Sequence, residues 1–258
     1  MVIGQGGSGA AIRDFDVEEV PPAWTVPDNF TFVALEANST VKMQSSGGPS
    51  VSIEYSTDNG STWQTFTVGS TTVTLANIND MVQFRATSAN SAFASSYNSA
   101  FNYWVLTGSL EAAGDFRTLY SKDGWSSLTN ASNYACVRMF DNCSALKDAH
   151  HLNMGFSYWN TNAAARIFQN CTGLKRGPYL KTTNTGSYAL EYFFYGCTSI
   201  EEITLDMESS VGWNTSTFQN WVQSVPSGGT IYTQHSYPGT GNSYFPYNWA
   251  LKSLSLRP

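Results

Sequence analysis

One seven-residue phrase written three times constrains this chain more than any other feature. Phe140-Asp-Asn-Cys143-Ser-Ala-Leu146, Phe168-Gln-Asn-Cys171-Thr-Gly-Leu174 and Phe194-Tyr-Gly-Cys197-Thr-Ser-Ile200 share the template F-x-[NG]-C-[ST]-x-[LI], with cysteines 28 and 26 residues apart. Self-similarity at a period of roughly 20–29 residues marks stacked units, none of which buries its apolar side alone. Ile200-Glu-Glu-Ile203-Thr-Leu205 is the clearest strand of such a unit. Cysteine suits an inward ladder position because it is small and among the most buried residue types. The thiols therefore read as core filler. Zinc would need paired C-x-x-C spacings with convergent ligands, and Cys136 to Cys143 is the one short spacing present.

Upstream the pattern changes to period two. Phe30, Phe32 and Ala34 alternate, followed by Val51-Ser-Ile53-Glu-Tyr55, Val73-Thr-Leu75, Met81-Val-Gln-Phe84 and Phe101-Asn-Tyr103-Trp104-Val105-Leu106. Such alternation between Gly, Pro and Asn turns predicts short antiparallel strands in a sandwich-like sheet. Asn59-Gly60 marks a hairpin, since both residues tolerate positive φ. The expected architecture is mainly β with short helical turns. An extended arm spans 1–27, a β-sandwich-like domain 28–107, a repeat array 108–225 and a C-terminal β cap, drawn as a hairpin, 226–258. The arm offers few apolar anchors, Ile12, Phe15, Val17 and Trp24, among Asp14, Asp16, Glu18 and Glu19. It is expected to order against a neighbouring subunit.

Composition narrows the function classes. Charged residues are only 12% of the 258, net charge is −6, and the 13 Lys and Arg never cluster, so nucleic-acid binding lacks its electrostatic footprint. No apolar run is long enough to span a membrane. Met1 to Ala11 shows no basic segment followed by an apolar stretch, so no secretory signal is read and the cysteines are expected to be reduced.

The repeats resemble the cysteine-containing leucine-rich repeats of the BspA-like (Treponema-type) family, whose units carry an A/M-F-x-x-C-x-x-L core. The likeness covers roughly residues 115 to 207 and includes Ala135-Cys136-Val-Arg-Met139-Phe140, although only about three units are present and Phe116 to Leu128 departs from the pattern. The front domain with Y-S-T-D-x-G-x-T-W, the repeats, Asn220-Trp221-Val222 through Thr230, and the closing Phe245-Pro246-Tyr-Asn-Trp249 together resemble proteins of Bacteroidales and their tailed phages. The resemblance implies an adhesive or virion-structural role without enzymatic activity.

Candidate chemistry is sparse. Ser56-Thr-Asp58-Asn-Gly60-Ser-Thr62-Trp63 fits the Asp-box of sialidase propellers, but one box in a chain this short reads as a structural turn. His150-His151 beside Asp148 lacks the spacing of a metal site. Read as a strand, it sends one ring inward and one to solvent. His235 stands alone. Glu201-Glu202 and Asp206-Glu208 sit on a repeat strand and its exit, where alternate residues simply face solvent. No nucleophile motif surrounds any Ser or Cys, so no catalytic, cofactor or metal site is assigned. The aromatics are the better hint: Tyr158, Trp159, Tyr179, Tyr237, Tyr244 and Tyr247 are the candidate surface-recognition residues, since amphipathic rings suit interfaces and sugars. The expected function is a phage virion component of tail, baseplate or head appendage. It would dock on other virion proteins through the arm, in many copies, and contact a bacterial surface polysaccharide. The alternatives are a bacterial cell-surface adhesin for host protein or glycan, and a purely structural decoration subunit.

Overall fold

A computed structural model describes residues 25–208, 216–234 and 245–257. The anchors Ile12, Phe15, Val17 and Trp24, together with His235, Tyr237 and Tyr244, lie outside the described residues. The chain is mainly β, its helical content among the described residues being short 3-10 turns.

Seven strands form first: β1 (Phe30–Ala34), β2 (Ser39–Ser46), β3 (Ile53–Ser56), β4 (Gln64–Phe66), β5 (Thr72–Leu75), β6 (Met81–Ala86) and β7 (Phe101–Thr107). Ten follow: β8 (Leu110–Asp115), β9 (Asn130–Ala131), β10 (Leu146–Asp148), β11 (Leu152–Met154), β12 (Tyr158–Trp159), β13 (Arg176–Thr182), β14 (Asn184–Thr185), β15 (Glu202–Met207), β16 (Thr230–Thr233) and β17 (Ala250–Ser253). In the first half every pairing between these strands is antiparallel, as period-two alternation predicts. β5-β2-β7 forms one sheet, and it faces β1, β6, β3 and β4 across Phe32, Phe66, Phe84 and Trp104.

The second half is parallel. β8, β10, β13, β15, β16 and β17 lie side by side, with β11 continuing the row of β10 past a turn at 149–151. Because β8 also pairs antiparallel with β1, one mixed sheet of 11 strands runs through both halves. The boundary expected near residue 107 thus interrupts neither the sheet nor the core. β17 continues the parallel row against β16, where the sequence suggested a hairpin. The reason is that the register of β15 and β16 carries on into β17 rather than reversing.

Opposite the parallel strands, each coil is a run of tight turns. Backbone N–H groups of Ala135, Met139 and Cys143 donate to the carbonyls three residues earlier, and the residues just before these amides, Tyr134, Arg138 and Asn142, have φ of 56°, 57° and 63°. The next coils repeat this at Asn162, Arg166 and Asn170, then at Tyr188, Tyr192 and Gly196. Alternate amides donate to the following coil, as Cys136 does to Ala163 at 2.8 Å and Arg166 to Glu191 at 2.8 Å. This geometry explains the template. The Asn or Gly before each cysteine occupies a left-handed position, the region those residue types tolerate best.

Inside, Phe140 stacks on Phe168 at 5.0 Å and 13°, and Phe168 on Phe194 at 5.7 Å and 18°, in the register the repeats imply. Trp221 packs on Phe194 at 6.2 Å and closes the column. At the other end Phe140 meets Phe30 and Phe32 at 6.2 and 6.1 Å, so the column is continuous with the aromatic interior of the first half.

Candidate functional site

The outward face of the parallel sheet carries its polar residues in rows. β-Strand side chains alternate between faces, and the strand register places Glu111, Asp148, Arg176 and Glu202 side by side on neighbouring strands. A second row joins Asp115, Asn153, Tyr179, Thr204, Tyr232 and Lys252.

The 149–151 turn adds two histidines to the first row. The Asp148 carboxylate accepts from the His150 amide at 2.8 Å and from the Arg176 guanidinium at 2.5 Å. His150 Nδ1 lies 2.9 Å from Glu202 Oε1, and His151 Nδ1 lies 2.5 Å from Glu111 Oε1. The Tyr179 hydroxyl donates to Asp206 at 2.6 Å, and Asn153 Nδ2 to Asp115 at 2.8 Å. From the C-terminal segment, Arg257 reaches over this row. It donates to the His150 carbonyl, its Nε stands 3.9 Å from Glu202, and its guanidinium lies 6.0 Å from the Tyr179 ring.

The electrostatics follow from these contacts. Burial alone would raise the Glu202 carboxyl, but the His150 hydrogen bond and the charges of His150, Arg176 and Arg257 outweigh it and hold it below its ordinary value. Burial, then the bond to Asp206, pushes the Tyr179 phenol up. Burial lowers the Arg257 guanidinium against the pull of Glu202. Two adjoining cavities open onto this face. One, of about 250 Å³, is lined by His150, His151, Tyr179 and Arg257. The other, of about 230 Å³, is lined by Asp28, Asp115 and Trp125. Val26, His151 and Asn153 border both, making one two-lobed groove.

The sequence-predicted residues distribute unevenly. Tyr179 lies in the groove. Tyr158 is half-buried in the short sheet β14-β12-β9, and Tyr247 is 71% exposed. Trp159 is a correction. Its side chain is fully buried against Phe156 at 5.0 Å, and the alternation of β12 that turns Tyr158 outward turns Trp159 into the core. The histidines do not sit on opposite faces of a strand. They occupy a turn, their rings meeting edge-on at 4.9 Å, with His150 buried and His151 exposed. Of the acidic pairs, Glu202 and Asp206 are buried polar groups, while Glu201 and Glu208 are exposed. Sequence reasoning missed this network, although Asp148, Arg176 and Glu202 recur at the same 28- and 26-residue spacings as the cysteines.

No protein-family model, curated protein or solved structure matches this chain. Among the described residues, no three His, Cys, Asp or Glu side chains converge as metal ligands would, and no helix is long and apolar enough to cross a membrane.

Proposed function

We propose that this chain is a non-enzymatic component of a phage particle, in a tail, baseplate or head appendage. In this reading a β-sandwich-like module carries a short array of cysteine-type leucine-rich repeats and turns the grooved sheet face toward a bacterial surface polysaccharide. The observation that carries the reading is the fusion of the two halves around one thiol and aromatic column. Trp104 of β7 offers its carbonyl to the Cys143 thiol at 3.1 Å, the place that Phe140 and Phe168 take for Cys171 and Cys197. The first half thus acts as the cap that a short stack requires. A rigid body of this kind, used in many copies, turns weak single contacts into firm attachment.

Recognition rather than catalysis is supported by how the groove's groups are occupied. His150 and His151 are each held by a carboxylate, Asp148 by Arg176, and the four thiols are buried. Tyr179 and Trp125 add flat rings to a polar groove, a combination suited to sugars. Docking on neighbouring virion subunits is assigned to the acidic arm through Ile12, Phe15, Val17 and Trp24.

Mass spectrometry of purified virions against surface and secreted bacterial fractions tests the reading. The chain is expected in virions; recovery from the bacterial surface alone would support the adhesin reading instead. Deleting residues 1–24 is expected to abolish incorporation while leaving the thermal transition unchanged. Binding of whole host cells is expected to fall with Tyr179→Ala. Virion incorporation without any cell binding would leave a purely structural subunit.

A further inference from the structure

The 11-stranded sheet ends at β17 on an open edge. All four residues of β17 are exposed, whereas β15 is buried throughout and β16 nearly so. The Ala250 amide donates to the Gly229 carbonyl at 2.8 Å, so Ala250 and Lys252 turn their backbone groups toward β16, while Leu251 and Ser253 turn theirs away. Among the described residues no strand lies beyond them. The chain that follows leaves this edge open: the 3-10 turn Leu254–Leu256 packs back on β16, and Arg257 bonds to the His150 carbonyl. Outward amides and carbonyls of this kind are a template for one more strand.

The two faces of the edge differ in chemistry. The register carries the buried Ile203 and Ile231 on to Leu251, which is 40% exposed. It carries Thr204 and Tyr232 on to Lys252, whose ammonium lies 5.9 Å from the Tyr232 ring. An added strand is thus matched when it alternates, with an apolar residue on the Leu251 face and an acidic one on the Lys252 face. A second β17 would bring two lysines together and offers no acid. Residues 14–18, Asp-Phe-Asp-Val-Glu, have the required pattern: in an extended chain Asp14, Asp16 and Glu18 share one face, and Phe15 and Val17 the other.

Reach decides which copy supplies them. Val26, at the start of the described chain, shares a cavity with Tyr179 of β13. A strand added beyond β17 would lie four strand spacings from β13, or about 19 Å. From Glu18 to Val26 a fully stretched chain covers about 26 Å, and residues 254–257 already lie across that path. An arm of the same copy would have to climb over them at nearly full stretch. A neighbouring copy's arm meets no such limit. We propose that β17 accepts residues 14–18 of a neighbouring copy as an added strand, joining copies head to tail. The proposal rests on the assignment of the arm to a neighbouring subunit and names its acceptor.

Sedimentation velocity on the full chain tests it. The wild type should associate as concentration rises. Lys252→Glu changes an exposed residue and should keep the melting curve while weakening association at least about tenfold. Asp14→Lys, Asp16→Lys and Glu18→Lys together, in an arm variant, should weaken it as much. Mixing the two variants should restore association, because each arm then meets an edge of opposite charge on the other chain. On association, hydrogen exchange should slow at the Leu251 and Ser253 amides and stay unchanged at Ala250. A wild type that remains monomeric at its highest soluble concentration, an arm variant that associates like the wild type, or a mixture that stays monomeric would each overturn the proposal. Association that obeys these charges in a chain absent from virions would defeat only the particle reading, and a monomeric wild type found in virions would defeat only this edge.

Discussion

The Cys171 thiol donates a 3.0 Å hydrogen bond to the carbonyl of Phe140, the aromatic of the preceding coil. The same carbonyl also accepts from the Cys143 amide at 3.0 Å, so both of its lone pairs are used, and Cys197 repeats the bond to Phe168. Each thiol is therefore a donor between coils as well as a filler. Burial pushes all four thiols up, Cys197 to about 12. Since the thiolate is the reactive form, dithionitrobenzoate at pH 8 should label none of the four in the folded chain and all four in denaturant. Rapid labelling of native protein would contradict this ladder.

Phe168 is the rung with a stacked ring on both sides, Phe140 and Phe194. Phe168→Ala opens a cavity in the middle of the column, and large-to-small aromatic changes in cores cost about 3–5 kcal/mol. Chemical denaturation should show that loss, with Phe168→Leu costing visibly less. A loss no larger than that of a surface substitution would mean that the column is not what holds the coils together.

The Asp58 turn gives a pH signature. Asp58 accepts from Ser56 Oγ at 2.6 Å, from the Thr62 amide at 2.8 Å and from Thr62 Oγ1 at 2.5 Å, while Gly60 has a φ of 82°. The Ser56 bond first, then those of Thr62, lower its carboxyl from 3.8 to about 2. A depressed carboxyl stabilises the folded hairpin above its ordinary value, and that contribution disappears as pH falls through about 2. An NMR titration should find the Asp58 midpoint near 2, and Thr62→Val should move it upward. A wild-type midpoint near 3.8 would show that these bonds do not persist in solution.

The legible and illegible parts of the fold divide by the range of the interactions that decide them. β1, β3, β5, β6 and β7 could be read because alternation is local. β2 (Ser39–Ser46) was not singled out, since Val41 and Met43 are its only large apolar residues. The column was legible in Phe140, Phe168 and Phe194 because stacking requires the same side chain at each level. The polar row was not, because Asp148, Arg176 and Glu202 keep the period while changing charge, and opposite charges are what neighbouring strands pair. Trp159 was misread because the outward choice at Tyr158 and the inward one at Trp159 depend on pairing to β9 and β14, far along the chain. Nothing in residue type announced the left-handed backbone at Arg138, Arg166, Tyr188 and Tyr192, which the turns of each coil impose.

The groove's acid dependence follows from Glu202. Its carboxyl is held below the ordinary value of 4.5 against burial by the His150 hydrogen bond and nearby charges. That sign means the carboxylate favours the folded state above 4.5, and the benefit fades as pH drops below it. Glu202→Gln should therefore destabilise the chain at neutral pH by about 1–3 kcal/mol, the usual cost of leaving a buried partner unpaired, and flatten the acid limb of the stability profile. If the variant and wild type lose stability in parallel between pH 6 and 3, Glu202 is not the group responsible.

Tyr97 tests how firmly the two halves are joined on the turn face. From the loop before β7 its hydroxyl donates to Glu191 at 2.5 Å and accepts from Arg166 Nε at 2.8 Å. The Arg166 guanidinium lies 4.4 Å from the Tyr97 ring and 4.9 Å from that of Tyr192. Glu191 is only 8% exposed, so Tyr97→Phe keeps the ring contact while removing a donor from a buried carboxylate. Hydrogen bonds to charged groups are worth about 1.5–3 kcal/mol, and the loss should fall in that range. Glu191→Gln keeps an acceptor and should cost less. In the double variant the two losses should fail to add, because contacting partners share one interaction. Hydrogen exchange should locate the effect as faster opening of residues 94–101 with the coil amides of 163–170 unchanged. Full additivity, or opening spread evenly over both segments, would mean that the loop only rests on the coil and that the shared sheet, the aromatic column and the hydrogen bonds of Phe93 and Trp104 to the first coil join the halves.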